Sequence, residues 1–179
     1  SRETHFESPL FGEDIKKVIP VIREGQSDSA CLDNAVELYT SAGRSLPHTM
    51  LMLVPQAWGR NFYVSKDIQG FFEYHSGLSE PWDGPAALAF TDGVNAGALL
   101  DRNGLRPARF TLTKGGKFVL ASETGVLDIA PSEVVMRGRL GAGEMIYLDL
   151  IKHRILFDKE IKTLVARSKP YRRWVDANR

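Results

Sequence analysis

The sequence has 179 residues, and its 23 Lys and Arg residues against 22 Asp and Glu residues leave a formal net charge of +1. That length suits one domain with a sizeable core, and so small a net charge favours neither nucleic acid nor an acidic membrane as a partner. No apolar run approaches the roughly 18 residues that a membrane helix requires. Ser1-Arg2-Glu3 leads into no apolar signal segment. We therefore expect no nucleic acid partner and no membrane association.

Cysteine and histidine usage restricts the compartment and the metal chemistry. The single cysteine, Cys31, excludes an internal disulfide framework and fits a reducing environment, so we predict a cytoplasmic protein. The four histidines show no metal-ligand spacing, and we predict no bound metal.

The first half of the chain predicts helices. After an N-terminal arm over residues 1–11, apolar residues at helical spacing predict a helix from Glu13 that Pro20 breaks. Three further helices are predicted, each opened by a capping residue or by proline in the first turn and closed by glycine or proline. They run from Ser27 or Asp28 to Gly43, from Leu46 to Pro55 and from Ser65 to Gly77.

Three residues of this half have both a structural and a functional interpretation. Asp28 is either a helix cap or a carboxylate that binds the ammonium group of a substrate. Cys31, in the first turn of the same helix, is either a core residue or a nucleophile activated by the helix N-terminus. His75 is either a structural residue or a catalytic base. On these residues alone we favour the structural interpretation of each.

The second half predicts strands, because beyond Pro85 the hydrophobic period changes from about 3.6 residues to about 2. A last helix is predicted over 159–166. The tail from Lys169 to Arg179 has aromatic residues but little apolar surface, and we expect it to pack on something outside the chain. The predicted strands cover residues 85–91, 95–100, 110–113, 117–121, 133–140, 144–150 and 154–157.

A charged corner, Leu100 to Phe110, joins two of these strands. Asp101, Arg102, Arg106 and Arg109 place four charges in nine residues, and the Asn103-Gly104 pair supplies a turn that can take positive φ. Such a corner is either a structural salt-bridge corner or an anion site, and we favour the structural corner.

Helices followed by strands with tight turns predict an α+β fold, with layered antiparallel sheets and flanking helices. The sequence contains no internal repeat. It also lacks the usual motifs of phosphate binding, serine hydrolysis and zinc proteolysis, namely GxxxxGK[ST], GxGxxG, Gx[ST]xG and HExxH.

Several stretches, in order along nearly the whole chain, resemble the class II glutamine amidotransferase domain of the glutamate synthase large subunit. They are Gln26-Ser27-Asp28-Ser29-Ala30, Gly43-Arg44-Ser45-Leu46-Pro47-His48, Pro55-Gln56-Ala57-Trp58, Tyr74-His75-Ser76, Glu80 to Phe90, Leu100 to Phe110, Ala121-Ser122-Glu123, Gly125-Val126-Leu127-Asp128, Arg137-Gly138-Arg139-Leu140 and Gly143-Glu144-Met145.

The resemblance implies an incomplete N-terminal-nucleophile hydrolase fold. In that family an N-terminal cysteine attacks the carboxamide of L-glutamine, with its own α-amino group as the base. The ammonia released is used with 2-oxoglutarate and a reductant to make glutamate, which assimilates ammonia. The implied cofactors, FMN and an iron–sulfur cluster, belong to the rest of the parent enzyme, so we expect none in this chain. The implied partners are L-glutamine, the remaining domains of the parent chain, and a reductase subunit or ferredoxin.

The resemblance also implies roles for particular residues. Related enzymes bind the substrate α-ammonium through the aspartate of a Ser-Asp-Ser/Thr element, which makes Asp28 the predicted glutamine-binding residue. The charged corner is expected to be scaffold. No catalytic residue is predicted, because Ser1 matches residues inside the family domain. The catalytic cysteine, the arginine for the substrate carboxylate and the Asn-Gly of the oxyanion hole would precede it.

We therefore predict the C-terminal part of an amidotransferase domain over residues 1–160 and the start of a linker over 161–179. We expect this fragment to be inactive on its own. The alternative is a binding or interaction module without catalysis.

Overall fold

The computed structural model describes residues 10–59 and 63–178 and has the predicted α+β class. A 3-10 helix at Gly12–Lys17 comes first, and a second one lies at Pro131–Glu133. The α-helices are α1 (Asp28–Ser41), α2 (Leu46–Leu53), α3 (Lys66–Ser76), α4 (Asp158–Ala166) and α5 (Tyr171–Ala177). The strands are β1 (Ala87–Thr91), β2 (Ala96–Leu100), β3 (Arg109–Thr113), β4 (Phe118–Ala121), β5 (Val134–Arg139), β6 (Met145–Asp149) and β7 (Arg154–Phe157).

Serine side chains fix the starts of the first three α-helices. Ser27, Ser45 and Ser65 are the N-caps, and each Oγ accepts the backbone N–H three residues further on, at 3.3–3.4 Å. A cap of this kind contributes about 1 kcal/mol. Asp28 is therefore the first residue of α1 and not its cap, so the cap interpretation of Asp28 is wrong.

The strands form two antiparallel sheets. One is four-stranded, in the order β1-β2-β6-β7, and the other is three-stranded, in the order β4-β3-β5. The charged corner therefore carries the chain from one sheet to the other, between β2 and β3. The predicted connection between β5 and β6 through residues 141–143 likewise crosses between sheets.

The helices and the two sheets form three layers, with one apolar cluster between each pair of adjacent layers. Leu99, Met145 and Leu156 point from the four-stranded sheet into the larger cluster, where they pack against the helices. The other face of that sheet packs on the three-stranded sheet, with Phe110 and Ile146 in the smaller cluster. The order of layers is therefore helices, four-stranded sheet, three-stranded sheet. None of the described helices combines the length and apolar character needed to cross a membrane.

Two local predictions are wrong. The segment from Glu13 forms a short 3-10 helix and not an α-helix, because Phe11 offers no side-chain cap and only Ile15 is buried. The prediction that the tail packs on something outside the chain is also wrong, because α5 packs on α3 of the same chain. Tyr171 is only 4% exposed, and its ring lies 5.3 Å from that of Phe71. The domain boundary at residue 160 stays a prediction.

Candidate functional site

The first turn of α1 lies between two cavities. One is a cleft of about 550 Å³ between α1 and residues 79–86, and the other is a groove of about 820 Å³ beside β1 and β2. Ser29 and Leu32 contribute to the walls of both cavities, whereas Asp28 lines only the smaller one. The predicted substrate-binding residue therefore stands in a formed cleft.

The walls of the smaller cleft combine apolar and polar groups. Tyr39 on α1 and Trp82 in the facing segment supply aromatic surface, and the carboxylates of Asp28, Glu80 and Asp83 supply negative charge. A small ligand with one cationic group suits this composition, because an ammonium in such a cleft would meet carboxylates directly. The side chain of Asp28 is exposed and free to meet a ligand.

The charged corner holds the facing wall of this cleft. Asp101 is 3% exposed, and its Oδ1 accepts the backbone N–H of Ala86 at 3.2 Å while its Oδ2 accepts that of Asn103 at 2.9 Å. Arg102 donates to Asp83 at 2.7 Å in an exposed ion pair. The carboxylate of Asp101 is therefore occupied by backbone N–H groups, and Arg102 is occupied by the carboxylate of Asp83. For Asp101 and Arg102 these contacts support the structural corner over the anion site.

The larger groove is mainly apolar. Leu88 and Phe90 of β1, Leu148 of β6, and Phe118 and Leu120 of the other sheet line it. Gly97 lies beneath the ring of Phe90, at a place where a Cβ would come within 2.4 Å of the ring. Among the described residues that line this groove, Asp33 is the one acidic residue, so the groove offers less negative charge to a cationic ligand than the smaller cleft does.

Cys31 belongs to the core. It is a free thiol, is 6% exposed, and lines neither of the two cavities. A thiol in that position has no access to a substrate, so the core interpretation of Cys31 is the one that the geometry supports.

His75 is not a free base, because both of its ring nitrogens are engaged. Its Nδ1 lies 2.8 Å from the carbonyl oxygen of Phe71, which can only accept, so the neutral ring carries its proton there. Its Nε2 is then an acceptor, and His48 Nε2–H donates to it at 2.9 Å. The pair ties α2 to α3 and sits against Tyr171.

Burial governs the protonation of both rings. Burial lowers the pKa of His48 from 6.5 to about 4, and the neighbouring His75 and Arg44 add to this effect. Burial likewise lowers the pKa of His75 to about 4, against the opposing influence of its bond to Phe71. Both rings are neutral at pH 7 and serve structure. The 27-residue separation gave no signal that these two histidines would meet.

The sequence analysis also did not predict the ion pair between Lys162 and Asp158. Lys162 is 4% exposed, and its Nζ donates to the carbonyl of Gly143 and to Asp158, both at 2.8 Å. Asp158 also accepts the N–H of Met145 at 2.9 Å. Burial lowers the pKa of Lys162, while the carboxylate of Asp158 opposes that shift. The pair locks α4 to β6, and the i,i+4 spacing of its members was the one signal that could have revealed it.

Comparison with known proteins gives one family throughout. The family model described as glutamine amidotransferases class-II matches residues 1–174. The chain is 47% identical over 176 residues to the NADPH glutamate synthase large chain of Bacillus subtilis, which covers 98% of this chain and 12% of the relative. It is 46% identical over 173 residues to the ferredoxin-dependent glutamate synthase of Pyropia yezoensis, covering 96% of this chain and 11% of that one. It is 42% identical over 177 residues to the NADH glutamate synthase of Schizosaccharomyces pombe, covering 98% of this chain and 8% of that relative. The chain thus spans about a tenth of the length of these relatives.

Proposed function

Because the chain belongs to the class II glutamine amidotransferases, we propose that it forms part of the glutamine site of a glutamate synthase large chain. In the whole protein this domain hydrolyses L-glutamine to glutamate and ammonia. The ammonia is then combined with 2-oxoglutarate and reducing equivalents to make a second glutamate. The names of the relatives support this assignment, since all three are glutamate synthases.

The observation that carries the proposal is the position of Asp28. Its carboxylate lines the cleft of about 550 Å³, a volume within the range of small-molecule sites. We infer that Asp28 binds the α-ammonium of L-glutamine there, with Glu80 adding negative potential, since the charge of Asp83 is offset by Arg102.

The chain by itself is proposed to be inactive. Thiolate chemistry on the carboxamide needs an accessible cysteine, and the one cysteine of the sequence, Cys31, is buried in the core. Losing the nucleophile of such a site removes nearly all of the chemistry beyond binding. The chain's contribution is therefore to hold the amino end of the substrate.

The cofactors are proposed to lie elsewhere in the parent enzyme. An iron–sulfur cluster is held by several cysteine thiolates, and a chain with a single buried cysteine does not fit one. The residues 10–59 and 63–178 also bring together no group of three or more His, Cys, Asp or Glu that could hold a metal ion. The relatives named for NADPH, NADH and ferredoxin match at similar identity, so we propose that the reductase subunit or ferredoxin acts on other parts of the protein.

Ligand selectivity tests the proposal. L-Glutamine and 4-carbamoylbutyrate, which lacks only the α-ammonium, would be titrated into the chain in parallel by calorimetry. We expect weak binding of L-glutamine, near 1 mM, and at least tenfold weaker binding of the analogue, because a charged hydrogen bond contributes roughly 1.5–3 kcal/mol. Equal binding of the two ligands would contradict a role for Asp28 in holding the amino group.

A further inference from the structure

The outer face of the three-stranded sheet, which faces away from the helices, carries a row of arginines. In the register of the sheet, Arg109 of β3 lies directly opposite Arg139 of β5, and Thr111 lies opposite Arg137. Residues opposite one another share a face, so Arg109, Arg137 and Arg139 all project from the same side. All three are exposed.

This arrangement is unfavourable for the isolated sheet. Like charges directly opposite on neighbouring strands are destabilising, and none of the three arginines forms an ion pair or side-chain hydrogen bond within the described part of the chain. Arginines elsewhere do find carboxylates, for example Arg102 with Asp83 and Arg172 with Glu73. A row of unpaired cations therefore calls for an anionic partner.

Apolar side chains lie beside the row. Residues 123–129 fold over the outer face and enclose a cavity of about 350 Å³ with Arg109 and Arg137 on its floor. Val126 and Leu127 in this segment are 56% and 50% exposed, and Val135 on β5 is 57% exposed. Exposed valine and leucine next to arginine make a surface of the kind found at protein interfaces, where arginine is enriched.

We propose that this outer face binds an acidic segment of polypeptide. Arg109, Arg137 and Arg139 would pair with its carboxylates, in the bidentate geometry that guanidinium favours, while Val126, Leu127 and Val135 cover its apolar side chains. A compact anion such as phosphate suits the face less well, because Arg139 lies outside the cavity and Glu123 and Asp128 stand at the cavity wall. The net charge of +1 disfavours a nucleic acid. This inference is independent of the glutamine site.

A peptide titration tests the surface. The probes are a ten-residue peptide of alternating glutamate and leucine, the same peptide with glutamine in place of glutamate, and inorganic phosphate. We expect the glutamate peptide to bind at low salt and the other two probes to bind at least tenfold more weakly. The variant R137Q/R139T should weaken the glutamate peptide by roughly tenfold or more. The variant K114Q/K117Q removes the same charge from the turn of the same sheet and should change binding by less than about twofold.

Stability supplies a second readout that a merely structural arginine row would not give. Relief of the cross-strand repulsion should make R139T more resistant to urea than the wild type at low salt, and 1 M NaCl should abolish the difference. Destabilisation of R139T would overturn the proposal, as would equal binding of the peptide to R137Q/R139T and wild type. Binding of phosphate as tight as that of the glutamate peptide would assign the face to a small anion instead.

Discussion

The carboxylate of Asp101 accepts the backbone N–H of Ala86, 15 residues earlier, and so ties the charged corner to the wall of the cleft that Asp28 lines. The tie is doubled, because the N–H of Asp101 also donates to the carbonyl of Ala86 at 3.1 Å. The described residues that line the cleft include Ala86 but no residue of the corner itself. The corner therefore shapes the candidate glutamine site indirectly, by holding Ala86 in place. A scaffold role of this kind is open to direct test.

Removing the buried carboxylate should loosen that wall. In Asp101→Ala two backbone N–H groups, those of Ala86 and Asn103, lose their acceptor, and a hydrogen bond to a charged group contributes roughly 1.5–3 kcal/mol. We expect a loss of about 3 kcal/mol in the free energy of unfolding by urea. The matched control is Asp83→Asn, which breaks only the exposed pair with Arg102 and should cost less than about 1 kcal/mol. Similar losses in the two variants would show that the corner is an ordinary surface feature.

The histidine pair should make stability depend on pH. The pKa of both rings falls from 6.5 to about 4 in the folded chain, so between these values the unfolded chain binds more protons than the folded one. Stability is therefore complete above about pH 6.5 and is lost as pH falls towards about 4, by up to roughly 1.4 kcal/mol per pH unit for each proton. Urea midpoints at pH 7, 5.5 and 4.5 measure the slope.

Two variants separate this pair from other titrating groups. His48→Gln keeps a donor for His75 Nε2 and removes one titration, so it should reduce the slope by about half. His153→Asn replaces an exposed histidine with φ of 49°, a conformation that asparagine tolerates, and is the matched control substitution. An unchanged slope in His48→Gln would contradict the assignment of the pH dependence to the pair of His48 and His75.

Close packing of α5 on α3 depends on one glycine. A Cβ at Gly70 would come within 2.8 Å of the backbone of Arg172. Gly70→Ala should therefore destabilise the chain by about 1–3 kcal/mol through overpacking, although alanine is the better helix former by about 1 kcal/mol. Gly77→Ala, at the C-cap of the same helix, meets nothing closer than 3.6 Å at a negative φ and serves as the control. Thermal unfolding followed by circular dichroism compares them, and an unchanged midpoint for Gly70→Ala would mean that α5 is not held against α3.

The buried ion pair should be costly to break from one side only. Lys162→Met leaves the partly exposed carboxylate of Asp158 without its cation, and we expect a cost of roughly 1.5–3 kcal/mol. Adding Asp158→Asn should restore much of the stability, because the amide oxygen can still accept from Met145. Lys159→Met, which changes an exposed lysine of the same helix, should cost at most about 0.5 kcal/mol. Additive losses in the double variant would show that Lys162 and Asp158 do not act as a pair.

The sequence predicted what depends on neighbouring residues. Ser65, and Ser27 as one of the two caps that the sequence offered for α1, start helices because a cap is a contact over three residues. The strands alternate because the pleat has a period of about two. It did not predict what depends on the path of the chain through space. The contact of His48 with His75, the packing of Tyr171 on Phe71 and the pairing of β2 with β6 all join distant segments.

The candidate site shows the same division. The residue types at Ser27-Asp28-Ser29 directed attention to Asp28, but the cleft around it is formed by residues 79–86, far along the chain. The cap role that local pattern favoured for Asp28 belongs to Ser27 instead, because the helix begins one residue earlier than an Asp28 cap would allow. The hydrogen bond from Ala86 to Asp101, which holds the facing wall of the cleft, joins residues 15 positions apart and gives no signal in the local sequence.

The most direct test of the account is the titration of L-glutamine into the chain and into two variants, with ammonia release followed in the same samples. Asp28→Asn should abolish measurable binding, since a loss of roughly 1.5–3 kcal/mol takes a millimolar ligand beyond detection. Asp33→Asn removes the same charge one turn along α1, in the wall of the larger groove, and should bind as the wild type does. No sample should release ammonia. Binding that survives in Asp28→Asn and is lost in Asp33→Asn would move the site to the larger groove, and ammonia release by the wild-type chain would contradict the account of an incomplete active site.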